Sequence, residues 1–184
     1  MKLGDYLKLG ALCILISGGV IASGATHAKY PDKPITMYIA FAAGGTTDIT
    51  GRALAQGIEK ILGVPVALEN KGGGGATVAN GLLASKKPDG YTLLQAAANM
   101  AINPFLMSDL PFDTVKDFSP ISLTHITPYV VVVSSQSPFQ NLGDLLKFLR
   151  DNPAKVSYGT TGPGSPQQLS TLLLAQTLNL GPLT

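Results

Sequence analysis

The sequence predicts an α/β protein of two lobes, each built on a parallel or mixed sheet flanked by helices. Three observations predict it. Apolar, β-favouring runs alternate with helical patterns, as strands joined by helical crossovers do. Most of those runs end in loops rich in glycine. The strand, loop and helix pattern of residues 35–62 is echoed at residues 156–178.

The elements follow in order. Tyr30-Pro-Asp-Lys-Pro34 is a stiff lead-in, because proline fixes φ twice. Residues 35–41 form an apolar run bounded by turn residues, which suits a buried parallel strand. Gly44 and Gly45 interrupt it, and Thr46, Thr47 and Asp48 lead into a helix, with Asp48 expected as its N-cap. Ile49, Ala53, Leu54, Ile58, Ile61 and Leu62 recur at near-helical spacing, and Gly63 is placed to end the helix. Residues 64–68 read as a second strand and residues 69–75 as a second glycine-rich loop. Residues 76–87 read as a small-residue helix, Pro88-Asp-Gly90 as a turn and residues 91–96 as a third strand. Residues 29–100 are thus expected to form the first lobe.

Residues 99–118 read as irregular, with turn signals at Asn103-Pro104 and Leu110-Pro-Phe-Asp113, and a crossing between lobes is expected there. Residues 119–127 and 129–134 read as strands, the second almost wholly β-branched. Residues 141–151 predict an amphipathic helix with Leu142, Leu145, Leu146 and Leu149 on one face. A short strand at 156–158, a third glycine-rich loop at 159–165 and a helix opening on Pro166 complete the second lobe, residues 101–184.

The loops carry the chemistry. The first turn of a helix leaves backbone N–H groups without internal partners, at the positive end of the helix dipole. Glycines let that backbone approach a ligand, and threonine hydroxyls add adaptable donors. Ala43, Gly44, Gly45, Thr46, Thr47 and Asp48 therefore predict a seat for a small anion, most simply a carboxylate. Thr160, Thr161, Gly164 and Ser165 repeat the pattern in the second lobe. Ligands of open α/β sheets bind at the carboxyl ends of strands, and clefts between lobes are favoured sites.

Bulk composition narrows the class. Hydrophobic residues make up 45% and charged residues 13%, enough for a sizeable core. The net charge of +2 falls to +1 without Lys2, Lys8 and Asp5, so no nucleic-acid footprint is expected. Residues 1–28 read as a cleaved secretion signal: two lysines, an apolar stretch, then small residues with cleavage after Ala25 or Ala28. Cys13 lies inside that segment, so the mature chain would have no thiol chemistry.

Enzyme motifs fail. Gly72–Gly75 is not followed by Gly-Lys-Ser/Thr, the dinucleotide spacing meets Val78 where its last glycine should stand, and Gly164-Ser-Pro166 is no nucleophile elbow. His125, alone in a strand-like run, reads as structural or surface rather than catalytic, and no residue cluster predicts a metal or cofactor. Asp48 and Glu69 could pair as carboxylates, but each has a simpler role as helix cap or loop orienter.

With these residues in view, the chain resembles the extracytoplasmic solute receptors of tripartite tricarboxylate transporters, the Bug or TctC-like family. The resemblance runs through Tyr30–Ile35, Phe41–Asp48, Arg52–Ala55, Leu62–Val66, Glu69–Lys71, Pro88–Leu94, Asn103-Pro104, Leu110–Asp113, Asp117–Ile121 and Tyr158–Ser165. It implies a periplasmic, two-lobed binding protein of the Venus-flytrap type, without catalysis or cofactor. Such receptors bind di- or tricarboxylates, acidic amino acids or aromatic acids and deliver them to integral membrane permease subunits. The loops matching 43–48 and 160–165 are implied to grip the carboxylate from opposite lobes, partly through water.

The sequence departs from the family pattern in three places. Gln168 stands where the family usually has histidine, and Gly72 where it usually has proline. The chain also stops soon after the third loop's helix. The expectation is therefore a C-terminally truncated member with an incomplete second lobe, monomeric when full-length. Two other readings stand beside receptor function: a remnant or sensor that binds other proteins, and a small hydrolase using Ser165 or a threonine with Asp48.

Overall fold

A computed structural model describes residues 29–152, 155–162 and 164–181. Three strands form one parallel sheet: β1 (Ile35–Ile39), β2 (Val66–Asn70) and β3 (Thr92–Gln95), in the order β2-β1-β3. Helix α1 (Thr46–Leu62) links β1 to β2. A 3-10 turn (Gly74–Ala76) and helix α2 (Thr77–Ala84) link β2 to β3. Then come α3 (Asn99–Leu106), α4 (Leu142–Asp151) and α5 (Pro166–Thr177). The compact unit that holds these elements runs from Lys33 onward.

β1 is central because both its faces are apolar. Ile35, Met37 and Ile39 point to one face, where Leu54, Ala55 and Ile58 of α1 cover them. Ala40 joins Ala76, Ala79, Phe41 and Leu94 in a separate cluster. Alternation with a period of two separates these sets. The register Ile35 to Val66 and Thr36 to Thr92 brings the carboxyl ends of all three strands to one side. α1 ends as the sequence predicts: Gly63 takes φ of 71°, a left-handed conformation that suits glycine, and its N–H donates to Glu59 O. Glu59 Oε1 also accepts from Val66 N at 2.7 Å, fastening the end of the helix to the start of β2.

Several expectations are corrected. Residues 119–127, 129–134 and 156–158 form no strand. A strand exists only where a neighbour takes up its N–H and C=O groups, and β-branched composition supplies propensity without supplying that neighbour. Ile121, Leu123, Ile126 and Val130 through Val133 are instead exposed. Residues 99–106, expected to be irregular, are helical, with Pro104 inside the helix. There Asn103 is buried and its Nδ2 donates to Gly75 O at 3.0 Å, so tertiary bonding overrides the turn signal. The expected secretion signal lies outside the described residues, and no described helix is long and apolar enough to cross a membrane.

Candidate functional site

A cleft of about 1650 Å³ opens at the carboxyl ends of β1 and β3 and is lined along residues 92–101 and 119–127. This is the point where the chain leaves β1 toward one neighbour and returns on its other side, the usual ligand crevice of an open parallel sheet. Ala43, Gly45, Thr46 and Thr47 at the start of α1 line it, and so do Thr161, Pro166 and Gln167 at the start of α5. Both helix N-termini thus border one cavity. None of the described residues that line it is Lys, Arg, Asp or Glu.

The first loop is built around Asp48. The N-cap of α1 is Gly45, not Asp48; the helix starts three residues earlier than expected, at Thr46. Asp48 sits in the first turn, only 3% exposed. Its Oδ2 accepts from Gly44 N at 2.9 Å and from Arg52 Nε at 3.0 Å. Its Oδ1 accepts from Asn70 Nδ2 at 2.9 Å and lies 3.0 Å from Arg52 Nη2. Arg52 first, then the Gly44 N–H and Asn70, hold the carboxyl far below the usual carboxylate range. Four contacts fill the acceptor positions of a carboxylate, so Asp48 fastens the loop and has no lone pair left for a ligand amine. Arg52 also neutralises it beside the anion seat.

Asn70 extends the fastening, since its Nδ2 also donates to Phe41 O at 3.0 Å. Gly44, at φ of 83°, lets the loop turn back toward Asp48, a conformation in which any side chain would be strained. Gly45 N reaches Ala42 O at 3.4 Å. The donors best placed for an anion are therefore the first-turn N–H groups of Thr46 and Thr47 with their hydroxyls. Glu69 pairs with Lys71 at 2.9 Å, so it and Asp48 do not form a carboxylate couple.

The loop before α5 is held differently. Ser165 is the N-cap, buried to 3%, and its Oγ accepts from Gln168 N at 3.3 Å. Gln168 Oε1 in turn accepts from Gly164 N at 2.7 Å. The pair is related to the Ser-x-x-Gln capping box, but Gln168 reaches the N–H of Gly164, one residue before the cap, while Ser165 N donates to Gly162 O. Thr160 Oγ1 accepts from Gly162 N at 3.2 Å, and Thr161 Oγ1 donates to Gln167 Oε1 at 3.1 Å. Of the expected residues, Ala43, Gly45, Thr46, Thr47 and Thr161 face the cleft. Asp48 and Ser165 brace the loops from beneath, and Gly44, Thr160 and Gly164 lie outside the cleft wall. Among the described residues, the side-chain hydrogen bond at the Ser165 hydroxyl comes from the Gln168 N–H.

Sequence reasoning missed a third group. Gln95, at the end of β3, is buried, and its Nε2 donates to Thr124 Oγ1 at 3.0 Å. Thr124 Oγ1 lies 3.1 Å from His125 Nδ1. All three line the cleft, as does Asn99 at the start of α3. The carboxyl end of a parallel strand was the available signal for Gln95. No local pattern marks Thr124 or His125.

An open parallel sheet with a neutral, donor-rimmed crevice at its switch point defines a small-molecule binding fold of the periplasmic binding protein type. The profile described as tripartite tricarboxylate transporter family receptor matches residues 50–181, and the chain belongs to that family. A UPF0065 protein of Bordetella pertussis is 34% identical over 165 residues, 88% of this chain and 50% of the relative. The solved structure of the periplasmic binding protein BugD superposes with a TM-score of 0.71 at 32% identity, over 84% of this chain and 52% of that one. MatC from Rhodopseudomonas palustris, solved with bound malate, superposes with a TM-score of 0.70 at 29% identity, over 84% and 53%. The chain spans about half the length of the curated relatives it matches.

Proposed function

We propose that the chain acts as a periplasmic solute receptor. It binds a small carboxylate in this cleft, without chemistry, and delivers it to the integral membrane permease subunits of a tripartite tricarboxylate-type transporter. The carboxylate would be a di- or tricarboxylate, an acidic amino acid or an aromatic acid. In this reading residues 29–100 and 101–184 contribute to two lobes that close on the ligand. The observation that carries it is the meeting of two helix N-termini, with Thr46, Thr47 and Thr161, on one cleft with no acidic side chain among the described residues of its wall. Anions are stabilised at such termini. The malate bound by MatC supports the ligand class.

The test is calorimetric titration of the protein with a panel of mono-, di- and tricarboxylates, acidic amino acids and aromatic acids. Hydrogen bonds to a charged group are worth about 1.5–3 kcal/mol each. Thr46→Val combined with Thr161→Val should therefore weaken the best acid by about a hundredfold or more. Unchanged affinity in the double variant would remove the site from these residues.

The exposed run of Ile121, Leu123, Ile126 and Val130–Val133 favours a second reading, an interaction or sensor protein. Ligand-independent self-association in size-exclusion chromatography, with no acid bound, would support it instead.

A further inference from the structure

We infer that Asn99, the first residue of α3, is a ligand contact in the cleft: its side-chain amide meets the carboxylate of the bound acid, and the second glycine-rich loop holds it in place. This rests on the reading of the cleft as a carboxylate site and adds a contact outside the two loops that carry threonines.

The amide is buried without being satisfied. Asn99 is 5% exposed, and among the described residues no hydrogen bond reaches its side chain. A buried amide costs free energy until it finds a partner. Asn80 of α2 is also buried and unpartnered, but both its polar atoms are sealed from solvent. The polar atoms of Asn99 are not sealed, and the space Asn99 borders is the cleft. Its neighbours in that wall, Ala96, Ala97, Ala98, Met100 and Ala101, bring no polar side chain. The amide is therefore the polar side chain that this stretch of wall offers a ligand. The helix adds to it: Ala98 is the N-cap of α3 and makes no side-chain cap bond, so the positive end of the helix is left to what lies in the cleft.

The second glycine-rich loop ties this amide to the first loop. A β-carbon added at Gly72 would stand 3.4 Å from Ala42 N, and one added at Gly75 would stand 3.7 Å from Asn99 Nδ2. The loop thus packs on the backbone just before Ala43 at one end and on Asn99 at the other. One turn along α3, on the same face, Asn103 Nδ2 donates to Gly75 O at 3.0 Å and fastens the helix to that loop. The starts of α1 and α3 are carried by one packed unit. A carboxylate only accepts hydrogen bonds, so Asn99 meets it through the hydrogens of its amide nitrogen.

The experiment titrates the wild type, Asn99→Leu, Asn99→Ser and Asn99→Asp with succinate, citrate, glutamate and benzoate, and records the melting temperature of each variant. For the acids the wild type binds, Asn99→Leu removes the donor and should weaken affinity about tenfold or more. Asn99→Ser keeps a shorter donor and should lose less. For acids without an amine, Asn99→Asp is the decisive variant. It is isosteric, and its charge suits the first turn of a helix, so a residue that only supports α3 would tolerate it. A residue facing a carboxylate would not, because a like charge replaces the donor. Affinity should then fall below that of Asn99→Leu while the melting temperature holds. For glutamate the Leu and Ser variants decide. Wild-type affinity in Asn99→Leu, or tighter binding of an amine-free acid by Asn99→Asp than by Asn99→Leu, overturns this inference and leaves the receptor reading intact. A wild type that binds none of the four acids removes the receptor reading, and this one with it.

Discussion

The two loops that border the cleft share a sequence pattern and differ in how they are held. The loop before α1 follows a strand paired on both sides, and its anchors reach far along the chain: Asn70 to Phe41 and Asn70 to Asp48. The side-chain hydrogen bonds found in the loop before α5 are local, from Thr160, Thr161, Ser165 and Gln168 to groups within six residues. Long-range fastening makes the first loop part of the sheet's own cooperative unit. Local capping shapes the second without tying it to a strand. Loops of like composition can therefore be rigid or compliant, according to where their polar side chains find partners.

Asp48→Ala is the sharpest way to break this difference and should cause the largest fall in melting temperature. It strands the Gly44 N–H, Arg52 and Asn70 at once, and removing one member of a buried network leaves its partners uncompensated. The same carboxylate sets an acid limit. Its pKa is depressed in the folded protein, so its contribution is fully present above the unfolded value of about 4 and is lost as pH falls below it toward the folded value. Melting curves taken from about pH 6 downward should show the gap between wild type and Asp48→Asn closing in that acid window. A gap that persists at the lowest pH would contradict the assignment. Asn70→Ala comes next. It loses two bonds to the first loop, at about 1–3 kcal/mol, and should weaken carboxylate binding as the loop loosens.

The same contrast explains what the sequence disclosed. The sheet strands, α1 with its Gly63 cap, the amphipathic α4, and α5 with Pro166 in its first turn were legible, because their signals are periodicity and end chemistry carried within each segment. Ala43 to Thr47 were legible as a loop at a helix start for the same reason. The strands expected at 119–134 were not, because a strand needs a neighbour that a propensity scale cannot see. Asn70 as the brace of Asp48, and the Gln95–Thr124–His125 chain, join residues 22 and 29 positions apart. Only the folded sheet brings them together. Asp48 shows the limit most plainly: its residue type suits a cap, but it stands inside the first turn, and its partners make it a bolt between loop, helix and β2.

The smallest expected effect lies in the second loop. Ser165→Ala removes the N-cap acceptor of α5 and should cost about 1 kcal/mol, the usual worth of such a cap. Gln168→Leu removes only the reciprocal bond to Gly164 N and should cost no more than that. Neither change touches β1, β2 or Asp48, so hydrogen exchange at Ile35–Ile39 should stay as in the wild type while exchange at Gly164 and in the first turn of α5 quickens. Matching acceleration in β1 would mean that the two loops belong to one cooperative unit. Acceleration confined to α5 would establish that the cleft has one fixed wall and one compliant wall, the arrangement a receptor needs if it is to close on acids of different shape.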